Sequence, residues 1–189
     1  MTYRRYTVEE LQALLQGIDA HLNAPFEIIL IGGAAALLAY KATHLTHDID
    51  LFNDVDKILS AYEKAKEKTG LEIPFSKAAV AEAPYNYDER LITYGDIPLK
   101  NLVVRIPDIH DLILIKTIRS DQHDLEVIEE IAQKNKIDAS ILINRFQTEM
   151  DHVIVNRARL RINFAAVLAR CFGEDVAENW MNSRTDRSQ

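Results

Sequence analysis

Residues 26–52 read FEIILIGGAAALLAYKATHLTHDIDLF, and the order of elements within them decides the fold. The run Phe26-Glu27-Ile28-Ile29-Leu30-Ile31 is short, apolar and β-branched, which predicts a buried strand. It stops at Gly32-Gly33, where the missing Cβ atoms let the backbone turn sharply and lie close to another group. Residues 34–40 are dominated by Ala and Leu, strong helix formers, and predict a short helix. A polar loop then leads to His47-Asp48-Ile49-Asp50-Leu51-Phe52. In a strand, alternation sends Asp48 and Asp50 to one face and Ile49 and Leu51 to the other.

Two carboxylates about 6 Å apart repel by roughly 3 kcal/mol at an effective dielectric near 20. A divalent cation between them reverses the sign of that term, and hard oxygen ligands suit magnesium. The Gly-Gly turn supplies the complement, because free N–H groups at the start of a helix favour an anion such as phosphate. A plainer reading is a glycine ending a strand and two aspartates opening a loop at a solvated edge. The order strand, glycine turn, helix, paired acids favours a site.

Gly32-Gly33, fourteen intervening residues and Asp48-x-Asp50 together resemble the signature of the DNA-polymerase-β-like nucleotidyltransferase superfamily. Thr46-His47-Asp48-Ile49-Asp50-Leu51 is similar to the small bacterial members, including the AbiEii-type toxins of toxin–antitoxin and phage-defence systems. The resemblance runs over roughly residues 26–131. It implies a nucleotidyltransferase fold in which Asp48 and Asp50 hold Mg²⁺ and Gly32 and Gly33 position the phosphates of a nucleoside triphosphate. The reaction implied is transfer of a nucleoside monophosphate to an acceptor with loss of pyrophosphate. The acceptor would be RNA (tRNA) or a protein side chain, and a cognate antitoxin or toxin is a possible partner.

The composition suits such a protein. At 189 residues the chain is one domain's worth, and 48% hydrophobic residues are ample for a core. A formal charge of −7 argues against a surface that traps nucleic acid generally, while leaving room for a local basic groove. The single cysteine, Cys171, forms no internal disulfide, and six scattered histidines make no zinc framework. No apolar run is long enough to span a membrane and the N-terminus lacks a secretory pattern, so a cytoplasmic location is expected. The expected organisation is a nucleotidyltransferase-like domain over residues 1–136, with a small mixed sheet flanked by helices. A C-terminal helical extension over 137–181 and a frayed tail over 182–189 follow it.

Thr7 and Glu10 predict a capping box opening a first helix whose apolar face is Val8, Leu11, Leu15, Ile18 and Leu22. Arg4 and Arg5 precede it as ordinary surface charge. Asn53 or Asp54 is expected to cap a helix to about Lys68, ended by Gly70. Short β-prone pieces such as Ala79-Val80-Ala81 are broken by prolines. Two further strands are predicted, over residues 90–94 and 101–106. Pro107-Asp108 announces a helix with Asp108 as its cap.

That helix holds Lys116 inside the apolar run LILIKTI. A lysine there must reach water or an anion, either by extending its stem to the surface or by pointing at a bound phosphate. The resemblance extends to this segment. It matches Lys116 to a phosphate-contacting lysine and Asp124 to a downstream acid that supports the site. The chain departs from the pattern at Val127, where the family often has a second Asp, and at His123, where a basic residue usually precedes the acid. The superfamily's third carboxylate is not evident; Asp88, Glu89 and Asp96 are the candidates near the right strands.

Two other readings stay open. One is a degenerate protein of the same fold that binds nucleotide or a partner and transfers nothing. The other is a metal phosphohydrolase of the His-Asp type, suggested by His47-Asp48, His110-Asp111 and His123-Asp124. Those enzymes are all-helical, and here the first pair opens a strand. Residues 158–172 predict a further helix ending at Gly173, and Arg157, Arg159, Arg161 and Arg170 form the densest basic cluster. That cluster is either a cationic ridge or a contact for a nucleic acid or an acidic partner.

Overall fold

The strand β1 (Phe26–Ile31) lies at the centre of a five-stranded sheet. In the computed structural model, which describes residues 4–78 and 82–183, the spatial order is β3 (Phe75–Lys77), β2 (Ile49–Leu51), β1, β5 (Leu102–Ile106), β4 (Ile92–Thr93). β1 pairs antiparallel with β2 and parallel with β5. β2 runs parallel to β3, and β4 antiparallel to β5. The expected α/β class with a small mixed sheet is therefore observed.

The chain forms two compact units, Met1–Ala81 with Asp88–Asp108 and Glu82–Tyr87 with Ile109–Gln189. The first holds the sheet and three helices, α1 (Val8–Ala20), α2 (Gly32–Tyr40) and α3 (Leu59–Thr69). The Thr7–Glu10 capping box is formed. Leu11, Leu14, Leu15 and Ile18 of α1 are wholly buried, and α1 packs along α3. Gly70 ends α3 in the left-handed region at φ 68°, as the sequence predicts. Ile28, Leu30, Leu51 and Val104 share the buried face of the sheet.

Two local expectations are corrected. Asn53 does not cap a helix: a 3-10 turn over Asp56–Ile58 precedes α3. The Asn53 side chain instead accepts from the Ile29 N–H at 2.9 Å and donates to the Glu27 carbonyl at 2.6 Å. Its amide carries one acceptor and donor groups, so it extends the ladder along β1 where the backbone of β2 has turned away. The strand predicted over residues 90–94 is only Ile92–Thr93, because Arg90 belongs to a 3-10 turn over Tyr87–Arg90. The β-prone piece Ala79-Val80-Ala81 lies outside the described residues.

The second unit is helical: α4 (Ile109–Arg119), α5 (Gln122–Lys134), α6 (Ala139–Glu149), α7 (Arg157–Phe172) and α8 (Glu174–Asn182). Asp121, Asp138 and Asn156 cap α5, α6 and α7 with their side chains. Phe146 stacks on Phe164 at 3.8 Å between centroids, and Trp180 meets both rings edge-on. Beside this apolar centre, fully buried Asp111 pairs with Arg145 at 3.0 Å. Asn182 is still helical, so the expected fraying does not reach it; residues 184–189 lie outside the described residues. No helix among the described residues is long and apolar enough to cross a membrane.

Candidate functional site

The site starts from Gly32, the first residue of α2, whose φ of +68° is one that side-chain-bearing residues avoid. A Cβ there would stand 3.1 Å from Oδ2 of Asp50, and a Cβ on Gly33 would stand 2.8 Å from Oγ1 of Thr46. Gly32 is needed for rotation as well as space and Gly33 for space, because the turn lies against Asp50 and Thr46. Ile31, at the N-cap of α2, provides no side-chain acceptor. Ile31 therefore leaves the first-turn N–H groups of α2 without a cap from its own side chain.

Register fixes the aspartate face. Asp50 is opposite Ile31, and Ile29 is opposite Arg105, so Asp50, Ile31, Ile29 and Arg105 share one face of the sheet. Ile49 and Leu51 are 1% and 0% exposed on the other, while Asp48 and Asp50 are half-buried. Thr46 donates its hydroxyl to the Asp48 carbonyl at 3.0 Å, and its own carbonyl accepts from the Tyr6 N–H at 2.8 Å. Thr46 therefore fixes the approach to the acids while filling the space above Gly33. The sequence names Thr46 only as the first residue of the motif around Asp48 and gives it no role.

Asp50 lies within β2 and Asp48 in the segment just before it, and both carry carboxylates. Magnesium commonly uses one or two such groups and completes its octahedron with water and substrate phosphates, so this donor set fits that ion. Among the described residues no group of three or more His, Cys, Asp or Glu is placed to hold a metal. Asp88 and Glu89 sit on an exposed 3-10 turn and Asp96 in an exposed bend. On β5 the residues sharing the Asp50 face are Val103 and Arg105, and Arg105 is held by Glu27 at 3.2 Å and Thr93 at 2.5 Å.

In the second unit Lys116 and Asp124 come together. The ammonium of Lys116 donates to Asp124 Oδ1 at 2.8 Å, with side chains only 4% and 2% exposed. The lysine meets an anion and does not extend to the surface. Arg119 reaches the same carboxylate, Nε to Oδ2 at 2.8 Å and Nη2 to Oδ1 at 3.0 Å. Burial by itself would raise the Asp124 pKa; the Arg119 hydrogen bonds and the Lys116 charge outweigh it and hold the carboxyl below its ordinary value.

The three His-Asp pairs have local partners. His47 Nδ1 lies 3.0 Å from the Arg4 carbonyl. His110 Nε2 accepts from the Asp138 N–H at 3.1 Å. Asp111 binds Arg145 and Asp124 binds Lys116.

A glycine that opens α2 lies against Asp50 of the neighbouring antiparallel strand, with Asp48 just before that strand, in an α/β protein with a mixed sheet. Over residues 7–170 the chain matches the family described as nucleotidyltransferase of unknown function (DUF6036). The chain belongs to that family. Comparison with curated proteins and with solved structures gave no match.

Proposed function

We propose that this protein is a Mg²⁺-dependent nucleotidyltransferase that moves a nucleoside monophosphate from a nucleoside triphosphate to a macromolecular acceptor. The observation that carries the reading is the approach of the Gly32 turn to Asp50. It sets the N-terminus of α2, suited to phosphate, beside a carboxylate suited to magnesium. Asp48 and Asp50 hold the ion; the chemistry it supplies when bound is neutralisation of phosphoryl charge and activation of the acceptor hydroxyl. Gly32 and Gly33 let the start of α2 lie close to the aspartate segment, and the backbone donors there meet the phosphates. The resemblance assigns charge stabilisation on the phosphates to Lys116, oriented by Asp124.

The acceptor in this reading is RNA, such as tRNA, or a protein side chain. The setting is the cytoplasm, in a toxin–antitoxin or phage-defence pair of the AbiEii type with a cognate partner protein. The test is incubation of the protein with Mg²⁺, each α-labelled nucleoside triphosphate, total tRNA and cell lysate. Label should enter macromolecules with wild type and not with Asp50→Asn, at unchanged folded-state circular dichroism. Undiminished labelling by Asp50→Asn would sink the mechanism.

One observation favours a second reading, a non-catalytic binder of the same fold. Arg105, and no acid, follows Val103 on the Asp50 face of β5. Nucleotide binding without turnover under any of the four nucleotides would decide for it.

A further inference from the structure

The C-terminal end of α4 and the N-terminal end of α7 enclose a cleft of about 370 Å³, lined by Ile118, Arg119, Val155, Asn156, Arg159 and Leu160. We propose that this cleft binds one nucleotide unit of a single-stranded nucleic acid. The inference rests on the nucleotidyltransferase reading and narrows its acceptor to a class.

Charge is the first ground. In a chain with 29 acidic and 22 basic residues, both ionisable side chains lining this cleft are guanidinium groups. The other arginines of α7 are engaged: Arg157 with the Met150 and Asp151 carbonyls, Arg161 over the Trp180 ring, Arg170 with Glu129 at 2.7 Å. Arg159 uses only its backbone N–H, given to Asn156 at 3.0 Å. Its exposed guanidinium has no partner among the described residues.

Shape is the second ground. Asn163 of α7 donates to the Thr117 and Ile118 carbonyls at 3.0 and 3.4 Å, which ties the two walls together. Arg119, 69% exposed, is steadied by Asp121 and Asp124, so part of the ordering cost of an incoming anion is already met. Ile118, Val155 and Leu160 give the cleft an apolar floor. A carboxylate peptide would satisfy the guanidiniums and leave that floor uncovered. A nucleotide unit covers both, its phosphate on the arginines and its base face on the apolar side chains. Bases in a duplex are stacked away from such a floor, hence a single strand.

The test is fluorescence anisotropy at low salt with a labelled single-stranded oligoribonucleotide, the deoxy strand of the same sequence and a blunt duplex. Wild type should bind both single strands more tightly than the duplex; a preference for the ribose strand marks RNA as the source. Arg159→Ala should weaken binding roughly fivefold or more and flatten the salt dependence by about one counterion. Arg170→Ala, which alters the same helix away from the cleft, should change affinity little. Equal losses for the two variants, or none for Arg159→Ala, would overturn the proposal. So would an oligoglutamate peptide that binds where the strands do not. Arg159-dependent strand binding by a protein that transfers no label would leave this inference standing and remove the catalytic one. Transfer with an acceptor KM unmoved by Arg159→Ala would do the reverse.

Discussion

Oδ2 of Asp50 stands 3.1 Å from the point where any side chain at position 32 would begin. The turn and the carboxylate are therefore one structural unit, and a change in either is felt by the other. Gly32→Ala would force a left-handed φ on a residue with a Cβ, at about 1–2 kcal/mol, and would press on the Asp50 carboxylate. Nucleotidyl transfer should fall at least tenfold while the protein still folds, shown by labelling assays beside a thermal melt. Full activity in a folded Gly32→Ala protein would contradict the assigned role of this turn.

The Asp124 carboxyl titrates below its ordinary value in the folded protein. Its stabilising contribution is thus complete above the unfolded pKa near 3.9 and is lost as pH falls through the lower folded value. Asp124→Asn leaves buried Lys116 without its counter-charge and should cost about 3 kcal/mol near pH 7. The stability gap between the two proteins, measured by urea unfolding, should stay level down to about pH 5 and shrink below about pH 4. A gap independent of pH would show that shape, not charge, accounts for the loss.

Asp19, at the end of α1, accepts from the backbone N–H groups of Lys100, Asn101 and Leu102 at 3.0, 2.6 and 2.7 Å. Burial would raise its pKa; the three donors outweigh that and lower it. The carboxylate anchors the entry to β5, and Asp19→Ala should destabilise by about 1–3 kcal/mol. The denaturation midpoint should fall with an unchanged m-value, and Asp19→Asn should recover part of the loss.

Burial pushes the Cys171 thiol up to about 12, with the Glu129 charge adding to the effect. Little thiolate is present at neutral pH, so alkylation of the native protein by iodoacetamide at pH 8 should be far slower than in urea. Cys171→Ser should leave nucleotidyl transfer intact.

The sequence by itself determined features whose physics is local. Backbone sterics at Gly32 and Gly70, the reciprocal hydrogen bonds of Thr7 and Glu10, and the two-residue period that separates Asp50 from Leu51 all act within a few residues. They were legible for that reason, and with them the mixed α/β class. Tertiary structure alone decided what depends on partners distant in the chain. Asn53 reads as a helix cap and serves as a rung on β1, taking the Ile29 N–H and the Glu27 carbonyl just past Phe52, whose N–H still pairs with the Ile29 carbonyl. Nothing local marks Asp19, which holds the start of β5 some eighty residues on. Thr46 and Arg105 gained their places from the close approach of the glycine turn and from strand register. Lys116 read as a cation in need of water or an anion, and the resemblance named Asp124 as an acid of the same site; the packing of α4 on α5 made Asp124 itself that anion. A polar side chain announces that it needs a partner, and only the folded chain chooses which.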